Sequence, residues 1–235
     1  MPLDLRRAAD RFQTVGDGRV TRHSFSFGEH YDPANTTFGS LVAHNDDRVE
    51  PGHGYRDHPH RDLEIVTWVL TGALTHRDAS GASGIITPGR VQRMSAGTGV
   101  VHSETVAPDA GPTRFVQTWV RPSSPGGAPS YSSAPASPRP DELTPLASGV
   151  SPHALVRIGA AASLYVVDLH HQVNLPDARL LHVFVASGSA RLGDLDLGEG
   201  DAVRISDAGA MSLTAPGLPP TQLLIWSFQE SSRRV

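Results

Sequence analysis

The 235-residue sequence contains no cysteine and no lysine, and all 20 of its basic residues are arginine. The first absence excludes disulfides, iron–sulfur clusters, thiolate zinc sites and a cysteine nucleophile. The second excludes a Schiff base, a lysine general base and a phosphate-loop lysine. Long apolar runs are also missing: no window approaches the roughly 18 consecutive apolar residues of a membrane span. The charged start, Met1-Pro2-Leu3-Asp4-Leu5-Arg6-Arg7, is not followed by the apolar core of a signal peptide. A formal charge of -4 with no basic run argues against binding to nucleic acid through its phosphates. These exclusions predict a cytoplasmic protein without membrane or nucleic-acid partners. Histidine is plentiful, with 12 copies beside 24 acidic residues, so any metal must be held by imidazole and carboxylate.

Glycine (23) and proline (19) recur too often for long helices. Between them stand short β-branched and aromatic runs, at Leu63 to Leu70, Thr113 to Val120 and Leu180 to Val185, which read as strands. The stretch Pro122 to Pro140 holds six prolines and six serines and hardly any large apolar residue. It reads as an extended connector unable to carry a sheet ladder, dividing the chain into units at 1–121 and 141–235 with a linker at 122–140. The text around Gly72 and Gly89 in the first unit parallels that around Gly188 and Gly200 in the second. Short, regularly spaced strands with such turns predict an all-β protein, a barrel or jelly roll repeated twice.

The segment from Gly52 to Glu64 contains His58-Pro59-His60, and on an extended chain residues two apart share a face. Glu64 has the same parity if no bulge intervenes. Further on, His102-Ser103-Glu104 offers a second pair at the same spacing. Brought to the inside of one barrel, the two strands present three imidazoles and a carboxylate, a donor set for divalent iron, manganese, nickel, copper, cobalt or zinc. The second unit lacks such pairs. His182 has Phe184 at its i+2 position, and the adjacent His170 and His171 point to opposite sides.

Gly52, His58-x-His60, Glu64 and Gly72 resemble the first cupin motif. More narrowly, His58-Pro59-His60-Arg61-Asp62-Leu63-Glu64, together with Ser95-Ala96-Gly97-Thr98-Gly99-Val100-Val101-His102-Ser103-Glu104 and the upstream Arg22-His23-Ser24-Phe25-Ser26-Phe27, is similar to the pirin family. The likeness is greatest to bacterial pirin-like quercetin 2,3-dioxygenases, and it covers residues 20–121 more specifically than the rest. It implies a bicupin of two jelly-roll β-barrels, with a metal-binding N-terminal cupin and a degenerate C-terminal cupin without a metal site. It implies His58, His60, His102 and Glu104 as ligands, with Glu104 rather than Glu64 as the fourth and as the catalytic base. Fe(II) is the first candidate metal. The implied partners are a small aromatic substrate and O2, with flavonol ring opening and loss of carbon monoxide. The family also implies an alternative, a metal-dependent regulator that binds a protein partner such as a transcription factor.

Several other residues carry weaker expectations. Phe25, Phe27, Tyr55, Trp68 and Trp119 are candidates to wall an aromatic pocket, though each also suits an ordinary barrel core, and Arg56 and Arg61 flank the histidines. Asn45-Asp46-Asp47 reads as a solvated turn. His23, His30, His44, His53 and His76 have no evident partner and read as structural or surface groups.

Overall fold

The computed structural model describes residues 3–207, 209–217 and 220–229. Among these there is no α-helix, and nearly all regular structure is strand. The first half runs β1 (Leu3–Arg6), β2 (Phe12–Gly16), β3 (Arg19–His23), β4 (Leu41–Val49), β5 (Gly54–His60) and β6 (Glu64–Thr71). It continues with β7 (Leu74–Asp78), β8 (Ser83–Ile86), β9 (Arg90–Ser95), β10 (Val100–Thr105), β11 (Thr113–Val120) and β12 (Ser130–Pro135). The second half holds β13 (Thr144–Ser148), β14 (Val156–Arg157), β15 (Ala162–Leu169), β16 (Gln172–Asn174) and β17 (Leu180–Ser187). It ends with β18 (Ser189–Leu192), β19 (Leu195–Gly198), β20 (Ala202–Ser206), β21 (Ser212–Thr214) and β22 (Thr221–Phe228).

These strands form two jelly-roll barrels, each a seven-stranded sheet facing a four-stranded one. The first pairs β12-β9-β6-β11-β4-β3-β2 with β5-β10-β7-β8, and the second pairs β1-β20-β17-β22-β15-β13-β14 with β16-β21-β18-β19. The chain is therefore an all-β bicupin. The two large sheets pack through an apolar layer that includes Phe25, Trp68 and Val116 from the first barrel and Leu164, Phe184 and Trp226 from the second. The second barrel is filled by aliphatic side chains such as Val167, Leu181, Val203, Leu213 and Ile225.

The chain crosses between the two units in ways that composition conceals. β1 pairs with β20, so the first residues complete the second barrel's sheet. β12, within the Pro/Ser-rich stretch, pairs with β9 over Ser130 to Pro135, which corrects the expectation that this stretch cannot carry a ladder. β12 is an edge strand bonded on one side only, and Pro135 stands at its end, where a missing N–H is tolerated. The reading of Asp46 and Asp47 as a solvated turn is also corrected. Both lie in β4 between β3 and β11, at 3% and 1% exposure. Their burial is compensated: Arg114 clamps Asp46 with two bonds of 2.9 Å, and Thr21 and Tyr55 both donate to Asp47.

The layer between the sheets has a polar seam. The rings of His44 and His182, one from each barrel, lie 4.8 Å apart, fully buried, with no hydrogen bond on any of their four nitrogens. Burial holds both well below the ordinary histidine range, with nearby Arg11 and Arg204 acting in the same direction. Both are therefore neutral when folded and protonate more readily when unfolded. Their share of stability is complete above about pH 6.5, the unfolded value, and is lost as pH falls below it. The unfolding free energy should fall on acidification, and His182→Leu should make that fall shallower by up to about 1.4 kcal/mol per pH unit. Urea denaturation at a series of pH values measures the slope; an identical slope in both proteins would show that His182 is not linked to it.

Candidate metal centre

β10 is the pivot of the first barrel's small sheet, bonded to β5 on one side and β7 on the other. His102 stands opposite His58 of β5 and Asp78 of β7, while Glu104 stands opposite Tyr55 and His76. The step from His102 to Glu104 spans two residues on β10 but three on β5, from His58 to Tyr55, which is a β-bulge. Bulges re-aim side chains beside functional sites. Here Arg56 O, within the bulge, accepts a 2.7 Å hydrogen bond from His58 Nδ1. Gly54 permits the close approach of the strands: at φ +142°, a Cβ there would lie 2.3 Å from Glu104 O and 2.7 Å from Thr105 Cα.

The result is a group of three imidazoles, His58, His60 and His102, whose candidate ligand atoms all lie within 4.8 Å of one another. The ring centroids are 4.4 to 5.0 Å apart. His60 Nε2 and His102 Nε2 are buried without a partner, and His58 has its Nδ1 engaged and its Nε2 left over. Burial, reinforced by the neighbouring imidazoles and opposed by Glu104, lowers His60 to about 4. For His102 burial again leads, Glu104 opposes, and the nearby histidines help to bring it to about 4. His60 and His102 are thus suited to donate lone pairs from neutral rings, and buried unpartnered nitrogens of this kind fit a divalent transition metal.

Glu104 is 1% exposed and joins His102 in a second group, with His76 rather than with His58 and His60. Its Oε1 accepts from Gln92 Nε2 at 2.7 Å and its Oε2 from Gln117 Nε2 at 2.5 Å. Burial pushes Glu104 up, but His76, His102 and Gln117 outweigh it and hold the carboxyl at about 2. The glutamines belong to a polar row across the facing sheet, where His23, Asn45, Gln117, Thr67 and Gln92 are successive cross-strand neighbours. Above that row Trp119 lies edge-on to His60 at 4.7 Å and against Phe27 at 5.1 Å, and it donates to Gln117 Oε1.

Glu64 stands apart from both groups. It opens β6 in the large sheet, where its Oε2 accepts from Ser95 Oγ and its Oε1 lies beside Gly159. The shared parity with His60 is lost because β5 ends at His60 and the chain turns through Asp62, at φ +50°, into another sheet. Of the candidate pocket walls, Phe27, Tyr55 and Trp119 lie around the histidines, whereas Phe25 and Trp68 belong to the layer between the barrels. His76, expected as an unpartnered group, is fully buried against His102, Glu104, Asp78 and Tyr131. His182 serves the interface, and His170 and His171 sit at a turn where Asp141 Oδ1 accepts both of their backbone N–H groups.

A two-barrel cupin with a histidine cluster in one barrel is the class that this fold and site define. The sequence pattern described as Pirin matches residues 5–120, and that of the quercetinase C-terminal cupin domain matches residues 146–225. A Mycobacterium tuberculosis (strain H37Rv) protein provisionally named a quercetin 2,3-dioxygenase is 48% identical over 96% of this chain and 95% of its own. The quercetin 2,3-dioxygenase of Escherichia coli (strain K12) is 31% identical over 90% of this chain and 93% of its own. The crystal structure of the bacterial pirin YhhW from Escherichia coli in complex with nickel(II) superposes with a TM-score of 0.88 at 28% identity, covering 97% of this chain and 99% of that one. The chain belongs to the pirin family.

The contact between β5 and β10 is the geometric condition for the cluster. Gly54→Ala is expected to lower the unfolding free energy by about 1–3 kcal/mol from backbone strain alone, and to weaken metal binding as the strands part. Urea denaturation and metal titration of the variant measure both effects; parent-like values would show that the two strands adjust freely.

Proposed function

We propose that the chain is a metal-dependent dioxygenase of the quercetin 2,3-dioxygenase type. The carrying observation is the trio of converging imidazoles, two of them buried with orphaned Nε2 atoms, set beside an ionised Glu104. His58, His60, His102 and Glu104 would hold one divalent metal, with Fe(II) the first candidate and manganese, nickel, copper, cobalt and zinc the others. When bound, such a metal supplies a Lewis acid for a substrate hydroxyl and a partner for O2. The names of the relatives and the nickel complex of a neighbour support this reading. The reaction belongs to the cytoplasm, whose reducing medium keeps iron divalent.

The chain's own groups account for the remaining requirements. Phe27, Trp119 and Tyr55 offer aromatic surface beside the histidines for a flat flavonol. Glu104 accepts the proton of the substrate's 3-hydroxyl, the role that a positioned carboxylate fills in general base catalysis. Gln92 and Gln117 hold its two oxygens in place before that transfer. The net reaction takes up one O2, opens the heterocycle to an ester and a carboxylic acid, and releases the intervening carbon as carbon monoxide.

Anaerobic reconstitution with each candidate metal, followed by admission of O2, should bleach flavonol absorbance with stoichiometric carbon monoxide. Glu104→Gln should keep metal within about tenfold of the parent affinity while turnover falls at least about 100-fold, a general-base loss. Full activity in that variant would remove Glu104 from the role of base. Absence of turnover with every metal would overturn the dioxygenase reading.

A further inference from the structure

We propose that Trp119 is a positioning residue, whose indole N–H locks the side-chain amide of Gln117 in the one orientation that turns its NH2 group toward Glu104. The inference rests on the reading that Glu104 is a metal ligand and the base. Trp119 and Gln117 stand two apart on β11 and so share a face. Trp119 Nε1 donates to Gln117 Oε1 at 3.0 Å, while Gln117 Nε2 donates to Glu104 Oε2 at 2.5 Å and to Thr67 Oγ1 at 3.2 Å. The amide is thereby saturated, with one bond on its oxygen and a partner for each of its two hydrogens. Packing aims the indole: its ring stands edge-on to His60 at 4.7 Å and 75°, and against Phe27 at 5.1 Å, two contacts from other segments of the chain.

An amide turned end for end keeps nearly the same shape, so distances alone do not tell its oxygen from its nitrogen. Here the indole decides. It carries a hydrogen and offers no lone pair, so the end of Gln117 that meets it is the oxygen. The end that meets Glu104 is then NH2, whatever the charge on the carboxyl or on the neighbouring imidazoles. Turned over, the amide would set NH2 against N–H and oxygen against a carboxyl oxygen, and both bonds would be lost. Thr67 does not make the choice, because a hydroxyl both donates and accepts. Gln92, the other amide on Glu104, has no such guide: its Nε2 lies 2.7 Å from Glu104 Oε1, and its own Oε1 is buried without a partner. Glu104 is therefore held on one side by an amide of fixed direction. Exposure rises along the series, from Glu104 at 1% through Gln117 at 6% to the half-buried Trp119. Trp119 is thus the member that an aromatic substrate beside His60 would touch, and it acts on the metal and the base only through Gln117.

The lock is readable without metal or turnover. In 1H–15N spectra of the metal-free protein, the NH2 pair lost in Gln117→Met assigns Gln117, and the pair lost in Gln92→Met assigns Gln92. Trp119→Phe keeps a ring against His60 and Phe27 but removes the N–H. It should shift the Gln117 pair, or broaden it by exchange between two orientations, and leave the Gln92 pair in place, a signature that lost packing would not confine to one amide. Cobalt(II) affinity in a chelator competition should fall about 10-fold in Trp119→Phe and in Gln117→Met alike. The double variant should bind no more than about twofold more weakly than Gln117→Met, because the two residues act as one unit. Parent-like Gln117 signals in Trp119→Phe overturn the proposal, as does a double variant in which the two losses multiply, the result expected of a ring acting on His60 directly. If Glu104→Ala binds cobalt(II) as tightly as the parent, the ligand reading fails, while the Gln117 spectra of the metal-free protein still decide the lock separately.

Discussion

The pairing of β10 with both of its neighbours is the constraint on which the site depends. One strand carries His102 and Glu104, and its two ladders bring the other imidazoles beside them: His58 and His60 from β5, His76 with Asp78 from β7. Cross-strand neighbours stand about 4.5–5.5 Å apart, so imidazoles placed opposite each other come into range with no further device. The extra residue in β5 then rotates the chain between Tyr55 and His58, which lets Tyr55 turn to Asp47 while His58 faces His102. Gly54 closes the same ladder where a side chain would strike the backbone of Glu104.

A polar cluster this deep is stable only if its desolvated groups find partners, since an unpaired buried polar group costs about 1–3 kcal/mol. The large sheet meets that requirement with a row of amides and hydroxyls directly beneath the histidines, and two of those amides hold the Glu104 carboxylate. Asp47 shows the same balance under tension. Burial, with the Asp46 and Glu104 charges adding, raises it to about 7 although Thr21 and Tyr55 both donate to it. His60 Nε2 and His102 Nε2 are left over, as are Gln92 Oε1 and Tyr131 Oη nearby, and a metal is the partner that imidazole pairs of this kind lack. In the second barrel the equivalent space is packed with aliphatic side chains.

Period-two alternation made the two pairs legible from the sequence, because His58-x-His60 and His102-x-Glu104 need only extended backbone to present one face. The same rule applied to His76-x-Asp78 would have found the third pair, but an imidazole followed by an aspartate reads as an ordinary surface pattern until its strand is known to adjoin β10. Glu64 misleads for the opposite reason: its parity is right, and the turn at Asp62 moves it to another sheet. Gln92 and Gln117 carry no signal at all, since an amide becomes an acid's partner only through register. Asp46 and Asp47 look like a turn by composition, and they are tolerated inside β4 because Arg114, Thr21 and Tyr55 arrive from three other strands. Proline and serine between 122 and 140 likewise hide β12, since an edge strand needs only half of its backbone groups.

The division into two units is real in the sheets and incomplete in the chain. β1 leaves the first barrel to close the edge of β20, and Arg7 locks that crossing by pairing with Asp201 at 2.7 Å. In the other direction β12 remains with the first barrel after the point where composition marks a boundary, and brings Tyr131 to His76. The ring that fixes His76 thus comes from the connecting segment, and the back of the sheet that carries Gln92 and Gln117 is covered by residues of the second barrel such as Leu164 and Trp226. Removing the second barrel would expose that apolar layer together with the buried Arg11, Arg114 and His44. The half that carries the histidine cluster is therefore held in shape by the other barrel, which gives a physical reason for both to be part of the same chain.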